Sequence, residues 1–290
     1  ERFKSVSSEN TLPLFLHLEE ALQQKEIQVY LADAPTQQVI ESFGWSGKIL
    51  PTLPGQDYLM VVNSNIQGAK SDAKIKQLIS HQTVIEDDGR IINTVTITRE
   101  HTGHSEEGLY GTTNIDYLRL YVPKGSKLLS ADGFTWPDEK AFRVPENWYK
   151  KDETLVQLET VVGIDAHSGT KITNEFDKTS FGNWVVTTPG QTSQIQFTYQ
   201  LPFLTSSLQT HGAAEWGKAI LASEPPLSYQ LVVQRQSGSE SLFESQIILP
   251  DAWQPSWRDN PQIRLATNGA VIDPTPLHKD TLWSLLATKK

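Results

Sequence analysis

Residues 194–202 read QIQFTYQLP. Ile195, Phe197, Tyr199 and Leu201 fall on one side of an extended chain, and Gln194, Gln196, Thr198 and Gln200 on the other. Successive side chains of a strand point to opposite faces. One face is therefore dry and the other wet, as a sheet with one solvated side requires. The same period of two runs back through IINTVTITREHT (91–102), where Ile91, Val95 and Ile97 alternate with Thr94, Thr96 and Thr98. It recurs in NIDYLRLYVPKG (114–125), with Leu118, Leu120 and Val122 on one face, and in IKQLISHQTVIE (75–86). Asp88-Gly89 between two of these runs is a hairpin signal, and PKGSK, AHSGT and TPGQT supply further turns. This spacing of about seven strands predicts an antiparallel, immunoglobulin-like β-sandwich over 73–203.

Outside that span the pattern changes. In TLPLFLHLEEALQQKE (11–26), Leu14, Leu18 and Leu22, with Phe15 beside them, recur at helical spacing opposite Glu and Gln. IQVYLA (27–32) reads as a short buried strand, APTQQVIESFGW (34–45) as a helix opened by Pro35 and closed at Gly44, and DYLMVV (57–62) as a second strand. Helix, strand, helix, strand is an α/β rhythm, so residues 1–72 read as the end of an α/β domain. Residues 204–226, small, polar and closed by Pro225-Pro226, read as a linker. From 227 the strand pattern returns around a turn at SGSES. It forms either a small β-unit of its own, 227–290, or strands completing the first.

At 290 residues and 32.5 kDa the chain has room for two domains. A formal charge of −9 and a pI near 5.3 argue against a nucleic-acid partner, which needs clustered Lys and Arg. No run reaches the roughly 18 apolar residues that span a membrane, so membrane attachment is expected only through an anchor upstream of Glu1. Zero cysteines exclude disulfides and thiol chemistry, and fit an exported bacterial protein.

The motif search yields little chemistry. HTGHSEE (101–107) offers His101, His104, Glu106 and Glu107, but no third ligand is fixed by spacing, so no metal is expected. GIDAHSGT brings Asp165, His167 and Ser168 together, but triads assemble from distant segments, and a turn is the simpler reading. No Gly-x-Ser-x-Gly, HExxH, P-loop or Gly-x-Gly-x-x-Gly occurs. No catalytic residue and no cofactor are assigned. Four tryptophans in Pro-containing segments are the better signal: Trp136, Trp148, Trp253 and Trp257. A flat indole can stack on a sugar ring or plug the end of a sandwich.

The phrases ESFGWSGKI, DYLMVVNSNIQGAKSD, IKQLISHQTVIEDDGRI, YLRLYVPKGSKLLSADGF, GNWVVTTPGQTSQIQFTYQLP and YQLVVQRQSGSE follow one another in order. Together they resemble the C-terminal half of the bacterial domain-of-unknown-function family 4012, over nearly the whole chain. The resemblance implies a membrane-anchored, extracytoplasmic protein of the bacterial cell surface. Its other half would be similar to LytR-CpsA-Psr glycopolymer transferases, to which this fragment would be an accessory. It implies no catalytic residues. The expected role is structural or binding, toward cell-envelope glycan or another surface protein, with a carbohydrate-binding module as an alternative. NSNIQGAKSD (63–72) corresponds to a family phrase Asn-x-Gly-Gly-x-Lys-Ser-Asp, with Gln67 at the first Gly. It reads as an interdomain joint: Asn63, Asn65, Ser71 and Asp72 bond local amides, Gly68 takes positive φ, and Lys70 pairs with Asp72.

Overall fold

The structure is a computed structural model and describes residues 8–142, 145–150, 152–205 and 226–290. The expected linker therefore lies almost wholly outside the described residues. The protein is mainly β, 47% strand against 14% helix.

Eight strands form the first sheet: β1 (Asp57–Val62), β4 (Asn114–Pro123), β6 (Thr160–Ile164), β7 (Lys171–Glu175), β8 (Lys178–Thr187), β10 (Leu227–Val233), β12 (Trp253–Arg258) and β15 (Thr281–Lys289). Seven form the second: β2 (Ile75–Ile85), β3 (Arg90–His101), β5 (Lys127–Asp132), β9 (Thr192–Leu204), β11 (Ser241–Ile248), β13 (Ile263–Ala266) and β14 (Gly269–Pro276). The orders are β12-β15-β10-β1-β4-β8-β7-β6 and β13-β14-β11-β2-β3-β9-β5. One hydrophobic core joins the sheets, with Leu59, Leu118, Leu120 and Phe181 from the first against Val95, Ile97, Ile195 and Phe197 from the second. Phe181 meets Phe197 and Tyr199 with ring centroids 6.2 and 5.8 Å apart. The inward residues are those that the period of two selected.

Two findings correct the sequence reading. The sheets are mixed rather than purely antiparallel: β10 runs parallel to β1 and β11 parallel to β2. The strands after 227 thus lie in the two main sheets, filling the sides of β1 and β2 that the earlier strands leave open. Period-two alternation marks which face is dry but not the direction of the neighbour, so parallel pairing was invisible.

The second correction concerns the N-terminus. Helices α1 (Ser8–Gln23) and α2 (Ala34–Ser42) form, the latter capped by Asp33, whose carboxylate accepts from Thr36 N at 3.0 Å. IQVYLA is not a strand, and Ile27, Tyr30 and Leu31 are exposed. No α/β sheet of its own exists among the described residues, because β1 is taken into the middle of the eight-stranded sheet. Without a partner strand, a short apolar run has nowhere to satisfy its backbone. The segment is held instead by side chains. Lys25 Nζ donates to Asp280 at 2.7 Å, and Gln234 bridges Leu50 N and Lys48 O.

Candidate functional site

NSNIQGAKSD occupies the connection from β1 to the short turn before β2, and its polar atoms are tied down one by one. Asn63 exchanges backbone contacts with the Gln236 side chain, N to Oε1 and Nε2 to O, both at 2.8 Å. Asn65 Oδ1 accepts from Gly68 N at 2.6 Å. Ser71 is buried, and Asn114 Nδ2 donates to its Oγ at 3.0 Å and to Asp72 Oδ1 at 2.7 Å. The expected joint residues thus differ in role: Asn63, Asn65 and Asp72 bond, whereas the Lys70 side chain forms no hydrogen bond or ion pair among the described residues. Asp72 pairs with Arg99 (3.6 Å) rather than Lys70, and Ala69 (φ 49°), not Gly68, takes the left-handed conformation.

Gly68 is required for a different reason. A Cβ there would lie 2.6 Å from Ser71 Oγ and 2.9 Å from Asn114 Cα, the latter fixed backbone. Gly68→Ala is therefore expected to destabilise the protein by about 1–3 kcal/mol, the usual cost of overpacking, read in a denaturant melt. Asp72 is half exposed, so Asp72→Ala is expected to cost under about 1 kcal/mol.

Behind this segment sits Arg99, 1% exposed. It belongs to the inward face of β3, in sequence with Ile91, Asn93, Val95, Ile97 and His101. Its guanidinium donates to Asn63 Oδ1, Gln77 Oε1 (2.9 Å) and Asn114 Oδ1 (3.0 Å) and lies 3.2 Å from the fully buried Asp116. Burial pushes the Asp116 carboxyl up, and the Arg99 charge opposes that rise. A cavity of about 420 Å³ opens against this cluster, lined among others by Asn63, Asp72, Gln77, Arg99, Gln236 and Glu240. Sequence reasoning missed Arg99. The available signal was a charged residue at an inward position of an alternating strand, which burial makes costly unless it is paired.

A second buried polar group lies deeper in the same core. Asp57, fully buried and with no ion pair among the described residues, accepts from Tyr229 OH (2.6 Å), Asn93 Nδ2 (2.7 Å) and Tyr58 N (2.7 Å). Thr83 links this group to His81, which burial depresses to about 3 and so keeps neutral.

The tryptophans separate. Trp136 and Trp148 are 63% and 69% exposed on the segment after β5, with Tyr149 exposed beside Trp148 at a ring-centroid distance of 4.4 Å. Residues 141–142 are held by Phe142, which packs on Trp184 at 5.0 Å, and by Gln67 Nε2, which donates to Ala141 O at 2.5 Å. Trp253 and Trp257 lie on edge strand β12, the first packed against the core and the second half exposed.

The remaining candidates are structural. His101 is buried, bonding Thr112 O (2.9 Å) and Gly103 N (3.1 Å). Asp165 accepts from Ser168 N and Oγ within its own turn, and His167 is exposed. No group of three or more His, Cys, Asp or Glu that could hold a metal occurs among the described residues.

No protein-family model matches the sequence, and no curated protein matches it. Among solved structures, the chain is similar to a presumed nutrient-binding protein of Legionella pneumophila, with a TM-score of 0.37 and 9% identity over 79% of this chain and 70% of that one. It is also similar to the M1 zinc metallopeptidase of Deinococcus radiodurans, with a TM-score of 0.27 and 9% identity over 73% of this chain. There it spans only 41% of the enzyme. Likeness at these scores assigns neither fold family nor activity.

Proposed function

We propose that the chain is a non-catalytic binding module displayed outside the cytoplasm on a bacterial cell surface, taking cell-envelope glycan on its exposed tryptophans. The observation that supports this is the set of exposed rings on the segment after β5: Trp136, and the adjacent pair Trp148 and Tyr149. Large aromatics bury 150–250 Å² each when covered, so leaving three in water favours a ligand that covers them. The immunoglobulin-like description of the sandwich belongs to the same proposal. Edge strand β6 favours a second reading, a surface-protein partner, because Val161, Val162 and Ile164 all stand exposed on an edge that no other strand pairs among the described residues.

The test is a glycan array followed by titration calorimetry. Trp136→Ala with Trp148→Ala is expected to weaken binding of the selected glycan by about tenfold or more, with melting unchanged. Undiminished glycan binding by the double variant would sink the reading.

A further inference from the structure

The outer face of the seven-stranded sheet carries a second constellation, free of aromatic rings. Register places Gln196 beside Thr96, Thr96 beside Ser80, and Ser80 beside Glu244. The next row is Thr198, Thr94, Gln82 and Gln246, again in register across the same four strands. Bonds within the rows hold these side chains in place: Gln196 Nε2 donates to Thr96 Oγ1 (3.1 Å), Ser80 Oγ to Glu244 (2.6 Å) and Gln82 Nε2 to Gln246 Oε1 (3.1 Å). Thr94 and Thr198 share one more at 3.2 Å.

This face is hollow rather than flat. A cavity of about 530 Å³ lies over the two rows, walled on the far side by Asp273 and Pro274 of β14. One side-chain step along the same strands, a hollow of about 590 Å³ has apolar Leu78, Leu242, Pro276 and Leu277 in its lining, rimmed by the opposed charges of Lys76, Arg235, Glu100 and Glu240. The trough therefore offers a polar strip beside an apolar one.

We propose that this trough is a binding site for an extended, uncharged oligosaccharide running across the strands. The chemistry of the free positions carries the choice. Gln82 Oε1, Gln196 Oε1 and the Gln246 Nε2 hydrogens stay unused among the described residues, and the threonine hydroxyls add donors and acceptors. Alternating donors and acceptors match vicinal hydroxyls, each of which both gives and takes. A carboxylate or phosphate brings acceptors only and would meet the Glu244 and Asp273 charges over the polar rows, while Lys76 and Arg235 of the adjoining hollow are offset by Glu100 and Glu240. Neighbouring strands are about 4.8 Å apart, comparable to the advance of one pyranose ring along an extended chain. Successive rings would therefore meet successive strands. The apolar strip receives the C–H faces of the rings, and side chains already fixed by their own bonds lose little freedom on binding.

This trough goes beyond the tryptophan segment, and its test separates the two. Chito-, cello- and maltohexaose, together with a nonapeptide of alternating Ser and Ala, are titrated into ¹⁵N-labelled protein. One hexaose is expected to shift amides within 78–82, 94–98, 194–198 and 242–246. Thr96→Val with Gln196→Ala, both on the solvated face, is expected to weaken it about tenfold, whereas Trp136→Ala with Trp148→Ala leaves these shifts intact. Shifts confined to 134–150, binding lost only in the tryptophan variant, occupation of the trough by the peptide alone, or no hexaose bound would each overturn the trough. The first two of these would leave the tryptophan reading standing.

Discussion

Arg99→Met is expected to lower the unfolding free energy by about 3–5 kcal/mol, the usual penalty for removing one partner of a buried ion pair. The variant leaves Asp116 fully buried with no cation at 3.2 Å, and takes the donors from Asn63, Gln77 and Asn114 together. Asp116 then keeps its proton to higher pH, so the loss is larger at pH 7.5 than at pH 4.5. Adding Asp116→Asn removes the stranded charge and is expected to recover part of the loss. Urea melts of the single and double variants at both pH values check this. A cost below about 1 kcal/mol for Arg99→Met would show that the cluster is solvated and does not organise the 63–72 connection.

The second large effect is a pH dependence that runs against the common acid-labile pattern. Burial raises the Asp57 carboxyl from 3.8 to about 6, outweighing the bonds from Tyr229, Asn93 and Tyr58 that favour the carboxylate. The folded state then binds the Asp57 proton more tightly than the unfolded state, so the Asp57 contribution to stability falls as pH rises from about 4 to about 6. Roughly two pH units correspond to about 3 kcal/mol. Asp116, also raised by burial, acts in the same sense. Buried His81, depressed to about 3, acts strongly in the opposite sense over the same range, and surface carboxylates such as Asp33, Asp88 and Asp165, held down by their own hydrogen bonds, do so weakly. The informative quantity is therefore the difference between the wild type and Asp57→Asn. The wild type is expected to lose about 3 kcal/mol relative to the variant between pH 4 and pH 7. At pH 7 the two are expected to lie close together, because the variant sheds the charge but turns an amide N–H₂ toward the Tyr58 N–H. Parallel curves across that range would place Asp57 in contact with water.

How far the sequence could be read follows from what alternation encodes. It identified β2, β3, β4 and β9 and their dry faces, since burying one side of a strand imposes the period directly. It could not say that β10 lies beside β1, because pairing across 174 positions leaves no local trace. It misread IQVYLA because an apolar hexapeptide is a strand only where a neighbouring strand accepts its backbone. At the site, the turn chemistry of Asn65 was legible from residue type, and the exposed Trp136 and Trp148 were picked out by their loops. Asp72, by contrast, bonds Asn114 and Arg99 on other strands rather than local amides or Lys70. Arg99 and Asp57 were missed because a polar residue on an inward face resembles a fault in the pattern until its partners on other strands are seen.

The two parallel pairings also bear on how the chain reaches this structure. β1 and β2 each keep one flank open until residues 227–248 are available, more than 160 positions later. Every intermediate made before then carries two unsatisfied strand edges in the middle of what will become the sheets. Such long-range closure is slow, and open edges invite pairing with other chains. A ribosome or translocation pore that releases the chain from its N-terminus would hold it in that exposed form for the whole interval. Holding factors that cover the β1 and β2 flanks would then set the yield of folded protein, and a chain stopped at residue 205 would aggregate rather than form a smaller sandwich.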